Sequence, residues 1–397
     1  METEFTGYRR ENGRIGVRNH VAVLPTSVAA SSVARGVADE AGTWARATPH
    51  QMGTTQPPEA SAQTERVLAG VGRNPNVGAA LVVEFGTEDV RADDVADRIA
   101  RTGKPVETLS VRAVGGTRPA LERGAATAEA LNEAAAEARR ETADASELVV
   151  GVECGGSDAT SGIAANPAVG EACDRLVAAG GTASFSETPE FIGAEHVLAE
   201  RCVDAETKER LLERVERREA TADLMGVDLR GAQPSPGNQE GGLTTIEEKS
   251  LGAISKGGTT PVRGIVDYAE QLPVGGGLVL MDTPGYDVES VVGKVAGGAQ
   301  VIVFTTGRGS TTGNPVAPVL KVTGNPRTWE RMSANMDVNA GTVVEGEEAV
   351  EAVGERVFRS VLDAADGKRT AAETRRMEEF AITEVQPSEL GEEVRRA

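Results

Sequence analysis

LVVGVECGGSDATSGIAANPAVGEACDRLVAAGGTASFSETPEFIGAE, residues 148 to 195, is the stretch whose reading decides the fold. Residues 148 to 152 form a short apolar, β-branched run of buried-strand length, which ends in glycines, hydroxyls and carboxylates. Asn166 and Pro167 then offer an N-cap followed by proline at the first helical position, so a helix is predicted from Pro167. Gly180 and Gly181 close it, and residues 182 to 185 read as the next strand, running into Ser186, Glu187, Thr188, Pro189 and Glu190. A helical crossover of this length requires parallel strands. Glu153, Asp158, Glu187 and Glu190 are therefore expected at one edge of a sheet, the edge where open α/β sheets place ligand sites.

The same alternation extends in both directions. Upstream, strands are predicted at 20–24, weakly at 44–48, and at 79–85 and 106–111, with helices at 31–40 (capped by Ser27), 59–71 and 89–101, and a long alanine-rich helix from 118 to about 142. Downstream comes a charged helix between about 205 and 226, whose charges read as a solvated face. The glycine-rich stretch 234–258 follows, in which Leu243, Ile246, Leu251 and Ile254 recur as in a short helix packed on a core. A second βαβ unit has strands at 278–281 and 301–304 around a helix at 288–295. The rest is acidic and helical, best at 347–365, with the last ten residues frayed. The pattern predicts an α/β protein of two Rossmann-like parallel-sheet domains with helices on both faces, divided as 1–144 and 145–397.

Composition narrows the partners. A chain of 397 residues is long for one core, and acids outnumber bases 61 to 41, a formal charge of -20. Such a surface repels nucleic acid and anionic membrane. Only seven of the 41 basic residues are lysines, and aromatics make up 3%, as in proteins of a salt-rich, halophilic cytoplasm; GC-rich codon usage would give the same arginine bias. No window approaches the ~18 apolar residues of a membrane span and no apolar signal core begins the chain, so a cytoplasmic location is expected. Cys154, Cys173 and Cys202 are odd in number and lack CxxC spacing, which points away from a disulfide framework or zinc ribbon.

The loops themselves point to a polyanionic or polyhydroxylated small substrate. Backbone N–H groups at Gly155-Gly156, Gly241-Gly242 and around Gly307 and Gly309 can approach a ligand closely, and Arg308 can grip a carboxylate with both nitrogens. Glu153, Asp158, Glu187, Glu190, Asp282 and Asp287 supply oxygens for a hard cation, with His50 as a softer ligand or a base. Any one of these acids could equally be a cap; their recurrence on both βαβ units is the signal. His20, at a strand start, and His196, on an amphipathic helix, read as structural. Neither GxGxxG after a strand nor the Walker A pattern occurs, which excludes the usual dinucleotide and P-loop enzymes.

Several blocks carry a resemblance: GRIGVRN (13–19), NPNVGAALVV (74–83), ECGGSDATSGIAANPAVG (153–170), GGTASFSETPEFIGAEHVL (180–198), SPGNQEGGLTTIEEKSLGAISKGGTTPV (235–262), MDTPGYD (281–287) and AGGAQVIVFTTGRGS (296–310). Over nearly its whole length the chain resembles the altronate/galactarate dehydratase family. The resemblance implies a metal-dependent lyase that dehydrates a sugar acid to a 2-keto-3-deoxy acid. Larger members carry a small N-terminal SAF domain and others have it as a separate subunit; this chain begins at the large-subunit region, so a separate SAF-domain subunit and an oligomer are expected. Sulfolactate sulfo-lyase has a similar large subunit, so the leaving group stays open. Where members commonly read HxxGCG and GLGCE, this chain reads His50-Gln-Met-Gly-Thr-Thr55 and Glu84-Phe-Gly-Thr-Glu88. Two cysteines are thus missing while Cys154 remains.

Dehydration of a 2,3-dihydroxy acid needs a base for the C2 proton, a positive centre for the enediolate and an acid for the departing hydroxyl. With the resemblance, Glu153, Asp158, Glu187, Lys249 and Lys256 are expected to be catalytic. Substrate contacts are expected from Arg18, Asn19, Gly155, Gly156, Ser157, Asn238, Thr244, Thr245, Thr306 and Arg308. His50, Glu88 and Cys154 are expected to hold a divalent ion, Fe2+ or Mn2+. Lysine scarcity draws the eye to Lys249, Lys256, Lys294 and Lys321 in the second half. Competing readings are a hydrolase of a 2,4-diketo-3-deoxy sugar acid, a C–S lyase, and an acidic scaffold that only senses a sugar acid.

Overall fold

The computed structural model describes residues 3 to 385, so the expected frayed end lies outside the described residues. The chain opens with an antiparallel hairpin, β1 (Glu4–Arg9) and β2 (Ile15–Gly16). Four parallel strands follow, β3 (His20–Pro25), β4 (Ala45–Ala47), β5 (Val77–Glu84) and β6 (Val106–Ser110), in the spatial order β4-β3-β5-β6. Next, β7 (Arg140–Asp144) turns back to pair with β1, Phe5 opposite Ala143. The second parallel sheet comprises β8 (Val149–Cys154), β9 (Thr182–Phe185), β10 (Val262–Val266), β11 (Gly277–Met281), β12 (Val301–Thr306), β13 (Val319–Thr323) and β14 (Val338–Asn339). Its order is β10-β11-β9-β8-β12-β13-β14. The protein is thus α/β, with two helix-flanked parallel sheets, as the sequence predicts.

Burial on both faces explains the strand sequences. Every residue of β8, β9, β11, β12 and β13 is buried, which is why these strands read as near-continuous apolar runs. Successive residues of β8 still serve different cores: Val150 and Val152 face one, Val149 the other. Strands β9, β11 and β10 lie on one side of β8, and β12 to β14 on the other. The chain therefore reverses its direction of growth between β8 and β12, and a crevice opens beyond the carboxyl ends of those two strands.

Three local expectations change. The alanine-rich helix stops at Ala135, and residues 140 to 144 become a strand because β1 offers an open ladder to them. Asn166 is not a cap: a π-turn over Ser161–Ala165 already runs into its helix. Its amide donates to Gly252 O at 2.9 Å and its oxygen accepts from Thr305 at 2.5 Å. The cap is Asp158, whose Oδ1 accepts from Thr160 N at 2.9 Å and Ser161 N at 3.1 Å. The charged helix Ala205–Leu224 is not merely solvated, since Arg217 and Arg218 both clamp the buried Asp282 at the end of β11.

The two sheets share a continuous core. Val67, Leu68 and Val71 from the helix Pro58–Arg73 pack in one cluster with Val291, Val292 and Val295 from the helix Asp287–Ala296. A Cβ at Gly70 would meet Ala296 O at 2.5 Å, so glycine lets these helices touch. Polar ties complete the joint. Asn74 donates to Val295 O and Ala299 O at 2.8 Å each, and Asn76 donates to Gln300 O at 2.9 Å. Asn74→Ala strands those two buried carbonyls and should lower stability by about 2–4 kcal/mol. Urea unfolding should stay a single transition with a lower midpoint; two separated transitions would show that the halves melt independently.

Candidate active site

Strand alternation delivers two adjacent residues of β8 to two different lysines. Glu153 faces the helix Asp287–Ala296, where Lys294 pairs with its Oε2 and also donates to Val152 O at 2.8 Å and Ser186 Oγ at 2.6 Å. Cys154 faces the other way, onto the turn after the helix Ile246–Ile254, and receives Lys256 Nζ at 3.1 Å. Glu187 lies between these networks. It follows β9 in the left-handed region, at φ +71°, a strained choice for a non-glycine residue that marks functional turns. Thr283 holds it there by accepting from Glu187 N at 2.9 Å.

The result is a dense buried cluster. Lys256 Nζ lies 2.9 Å from Glu187 Oε2 and 3.1 Å from Glu190 Oε2, and the Cys154 thiol donates to Glu190 Oε2 at 2.9 Å. Lys256 has no solvent exposure at all. Glu153 Oε1 and Glu187 Oε1 are each buried without a hydrogen-bond partner. Burial, then the charges of Glu153 and Glu190, push Glu187 well above the carboxylate range, against the pull of Lys256. Glu190 goes the other way: burial would raise it, but Lys256 and Lys249 overcome that and bring it to about 2. Burial and then Glu190 keep the Cys154 thiol protonated. Neighbouring acids held in opposite states are what general acid–base chemistry requires.

Asp287 is the third acid. Its carboxylate lies over Gly155, where any Cβ would collide with it. Burial, then Glu153 and Glu190, raise it to about 7. Glycine loops line the crevice beside it, with Gly155 N donating to Thr305 O and Arg308 N to Gly156 O, both at 3.0 Å. A neighbouring cleft of about 230 Å³ runs between Ser157–Asn166 and Leu243–Ala253. Lys249 lines that cleft and reaches Glu190 Oε1 at 3.5 Å, linking it to the cluster. A larger hollow of about 830 Å³ lies between β1 and the helix Val350–Ala365, and none of these groups lines it.

Among the residues expected from sequence, Glu153, Cys154, Glu187, Lys249 and Lys256 come together, and Gly155 and Gly156 edge the same crevice. Asp158 spends both oxygens on structure, Oδ2 accepting from Asn325 at 2.8 Å, so it anchors the loop. Asn238 donates to Ser157 O at 3.0 Å and fastens the glycine-rich stretch to that loop. Thr245 caps the helix Ile246–Ile254 while Thr244 binds Glu248 at 2.6 Å, and Thr306 accepts from Gly309 N at 3.0 Å. Arg308 is half exposed and 3.7 Å from Glu240.

The remaining expectations lie elsewhere. Arg18 is spent on Glu373, 2.7 and 2.8 Å away, and on the carbonyls of Val17, Ala364 and Lys368. Asn19 bridges Arg10 and Ala135 O. His50 Nε2 meets Pro25 O at 2.8 Å and Nδ1 accepts from Met52 N at 3.2 Å. Glu88 gathers the N–H groups of Phe85, Gly86 and Thr87 and the hydroxyls of Thr26 and Ser27. His50 and Glu88 therefore tie up the end of the first sheet and do not join Cys154. Sequence reasoning left Lys294 out of the site, its only signal being the scarcity of lysine, and took Glu190 and Asp287 as oxygen ligands for a cation rather than as catalytic acids.

Among the described residues, one group could hold a metal ion: Cys154, Glu187 and Glu190, with a ligand atom from each within 4.8 Å of the others. As arranged it does not fit one. Lys256 Nζ occupies the space among the three atoms, and both the thiol and Glu187 retain their protons.

Lys256→Met leaves the buried Glu190 carboxylate without its closest counter-charge and should destabilise the fold by about 3–5 kcal/mol at neutral pH. Glu190 sits at about 2 in the fold, below its unfolded value, so its contribution is present above the unfolded value and fades as pH falls toward 2. The gap between variant and wild type in urea melts should therefore narrow from pH 6 to pH 3. A constant gap would mean that Lys256 does not hold Glu190 ionised.

Comparison with known proteins agrees with this geometry. Residues 145–388 match the D-galactarate/altronate dehydratase C-terminal family, and residues 7–136 match the D-galactarate dehydratase/altronate hydrolase second domain. The chain is 41% identical over 387 residues to (2R)-sulfolactate sulfo-lyase subunit beta of Chromohalobacter salexigens, covering 97% of this chain and 98% of that one. It is 32% identical to the altronate dehydratase of Bacillus subtilis, across 95% of this chain and 77% of the relative. With the galactarate dehydratase (L-threo-forming) of Escherichia coli it shares 39% identity over 77% of this chain and 59% of that protein. With both domains matched in order and the acid cluster at the sheet's switch point, the chain belongs to the D-galactarate/altronate dehydratase family of hydro-lyase enzymes.

Proposed function

We propose that this protein dehydrates a small sugar acid, such as altronate or galactarate, to a 2-keto-3-deoxy acid. The observation that carries the reading is the buried set of acids held in opposite protonation states around Lys256. Asp287, at about 7, takes the C2 proton. The C–H electrons move into an enediolate on the substrate carboxyl, whose charge Lys249 and Lys256 stabilise. Glu187 gives its proton to the C3 hydroxyl as the C3–O bond breaks and water leaves. Burial and the charges of Glu153 and Glu190 hold Glu187 in its acid form, and the enol tautomerises to the keto acid.

The family resemblance also implies a divalent ion, Fe2+ or Mn2+. The group of Cys154, Glu187 and Glu190, filled by Lys256, does not fit such an ion, so the positive charge for the substrate carboxylate is assigned to Lys249 and Lys256. A second reading, release of sulfite by C–S cleavage, is favoured by the near full-length match to a sulfo-lyase subunit. That relative is named as a subunit, which also supports a separate SAF-domain partner for this chain.

One panel of altronate, galactarate, sulfolactate and a 2,4-diketo-3-deoxy acid tests these readings together, with and without chelator, added Fe2+ or Mn2+, and a small SAF-domain protein. Keto-acid formation from a hexarate or hexonate, raised stoichiometrically by the partner, is expected, and its loss with chelator would show that a divalent ion takes part. Sulfite release alone would replace dehydration by C–S cleavage, and full activity of the isolated chain would remove the partner.

Glu187→Gln should cut water loss by about a hundredfold or more, because hydroxide leaves only with a proton. Sulfite leaves as a stable anion, so C–S cleavage should fall far less. In wild type, kcat/KM should rise with pH through about 7 as Asp287 ionises, and Asp287→Asn should abolish that limb along with most turnover. An unchanged pH profile in the variant would remove Asp287 as the base.

We further read the charge of -20 as suited to a salt-rich cytoplasm. The melting temperature should climb with molar KCl as self-repulsion is screened. A flat response would contradict this.

A further inference from the structure

We propose that a cavity of about 300 Å³ at the amino end of β3 binds a small multivalent oxyanion, at a site separate from the lyase chemistry. Its wall carries four guanidinium groups, Arg18, Arg46, Arg140 and Arg369, against a single carboxylate, Glu373. In a chain of formal charge -20, such a concentration of arginine runs against the rest of the surface. Glu378 and Asp366 stand just outside, 3.6 Å from Arg46 and 3.8 Å from Arg140. Four guanidiniums thus face three carboxylates. His20 is partly buried in this wall, and desolvation and then Arg46, Arg18, Arg10 and Arg369 drive it well below the usual histidine range.

The guanidiniums are also fixed in place before any ligand arrives, which removes much of the ordering cost of binding. Arg140 donates to Thr6 O at 2.6 Å and lies 5.5 Å from the centre of the Tyr8 ring. Arg46 is held by the carbonyls of Thr43 and Ala45, while Arg18, whose donors all go to Glu373 and three carbonyls, lends the wall charge and leaves the direct contacts to Arg46, Arg140 and Arg369. Arg369 is exposed at the mouth and donates to Glu373 O at 2.9 Å. Planar guanidiniums suit phosphoryl or carboxylate oxygens, two nitrogens to two oxygens. The volume admits a molecule of metabolite size. None of these residues belongs to the cluster on β8 and β9, so the inference stands independently of the reaction assigned there.

The probes are citrate for polycarboxylates, and pyrophosphate and inorganic phosphate for phosphoryl groups. Each is titrated against the whole protein at fixed ionic strength set with potassium chloride, by calorimetry and thermal melts. At least one should bind saturably and raise the melting temperature beyond the chloride control. Arg46→Gln with Arg369→Gln should weaken that binding on the order of tenfold or more. Arg369→Gln alone, at an exposed position that the fold tolerates, should weaken it in the same direction. If no anion saturates, or if wild type and both variants respond alike, the effect is general screening and the site does not exist.

Discussion

A single ammonium group sets the terms for the rest of the molecule. Lys256 is wholly buried yet charged, which is tolerable only because Glu187, Glu190 and Cys154 surround it at hydrogen-bond distance. Three separate stretches must therefore meet: the end of β8, the left-handed turn after β9, and the helix Ile246–Ile254 with its following turn. Glycines permit the meeting. Gly162 and Gly252 touch backbone to backbone, and Gly170 leaves room for the chain at Ser255 and Gly258. The glycine-rich stretch thus works as a rigid arm that carries a cation into the sheet edge.

The second lysine completes the electrostatics from the opposite face. Lys294 neutralises Glu153, while Ser186, Ser290 and Thr283 link into a chain of hydroxyls beside it. Strand periodicity assigns one lysine to each face, and Glu187, caught between, takes the proton that neither lysine requires it to lose. Asp282 shows a different solution to the same problem. Its charge is absorbed by arginines from the helix Ala205–Leu224 and it has no part in the proton economy of the cluster.

Much of this was legible in residues 148 to 195. Strand lengths, the Gly180-Gly181 stop and the common edge of Glu153 and Glu187 follow from local periodicity and capping, which act within a few residues. What escaped depended on distant partners. Arg18 looked like a substrate clamp until Glu373, 355 residues away, claimed it. Residues 140 to 142 read as helix because only β1 makes them part of a strand. Asn166 looked like a cap because nothing local announces that Asp158 has already capped the turn before it. The left-handed backbone of Glu187 carries no sequence mark at all, being imposed by Thr283 from the next βαβ unit.

The small antiparallel sheet has a consequence for synthesis. Strand β1 pairs with residues 140 to 144, and Thr6 also hydrogen-bonds to Asp366 at 2.7 and 2.9 Å. Strand β1 thus waits for partners translated long after it, and its last contact forms only when nearly all of the described chain has been made. Closing so long a loop adds little entropy per doubling of length, but it makes the step late. Until then Phe5 and Ile15 lack the core they later join, so the nascent protein exposes these apolar side chains through most of the translation of the described residues.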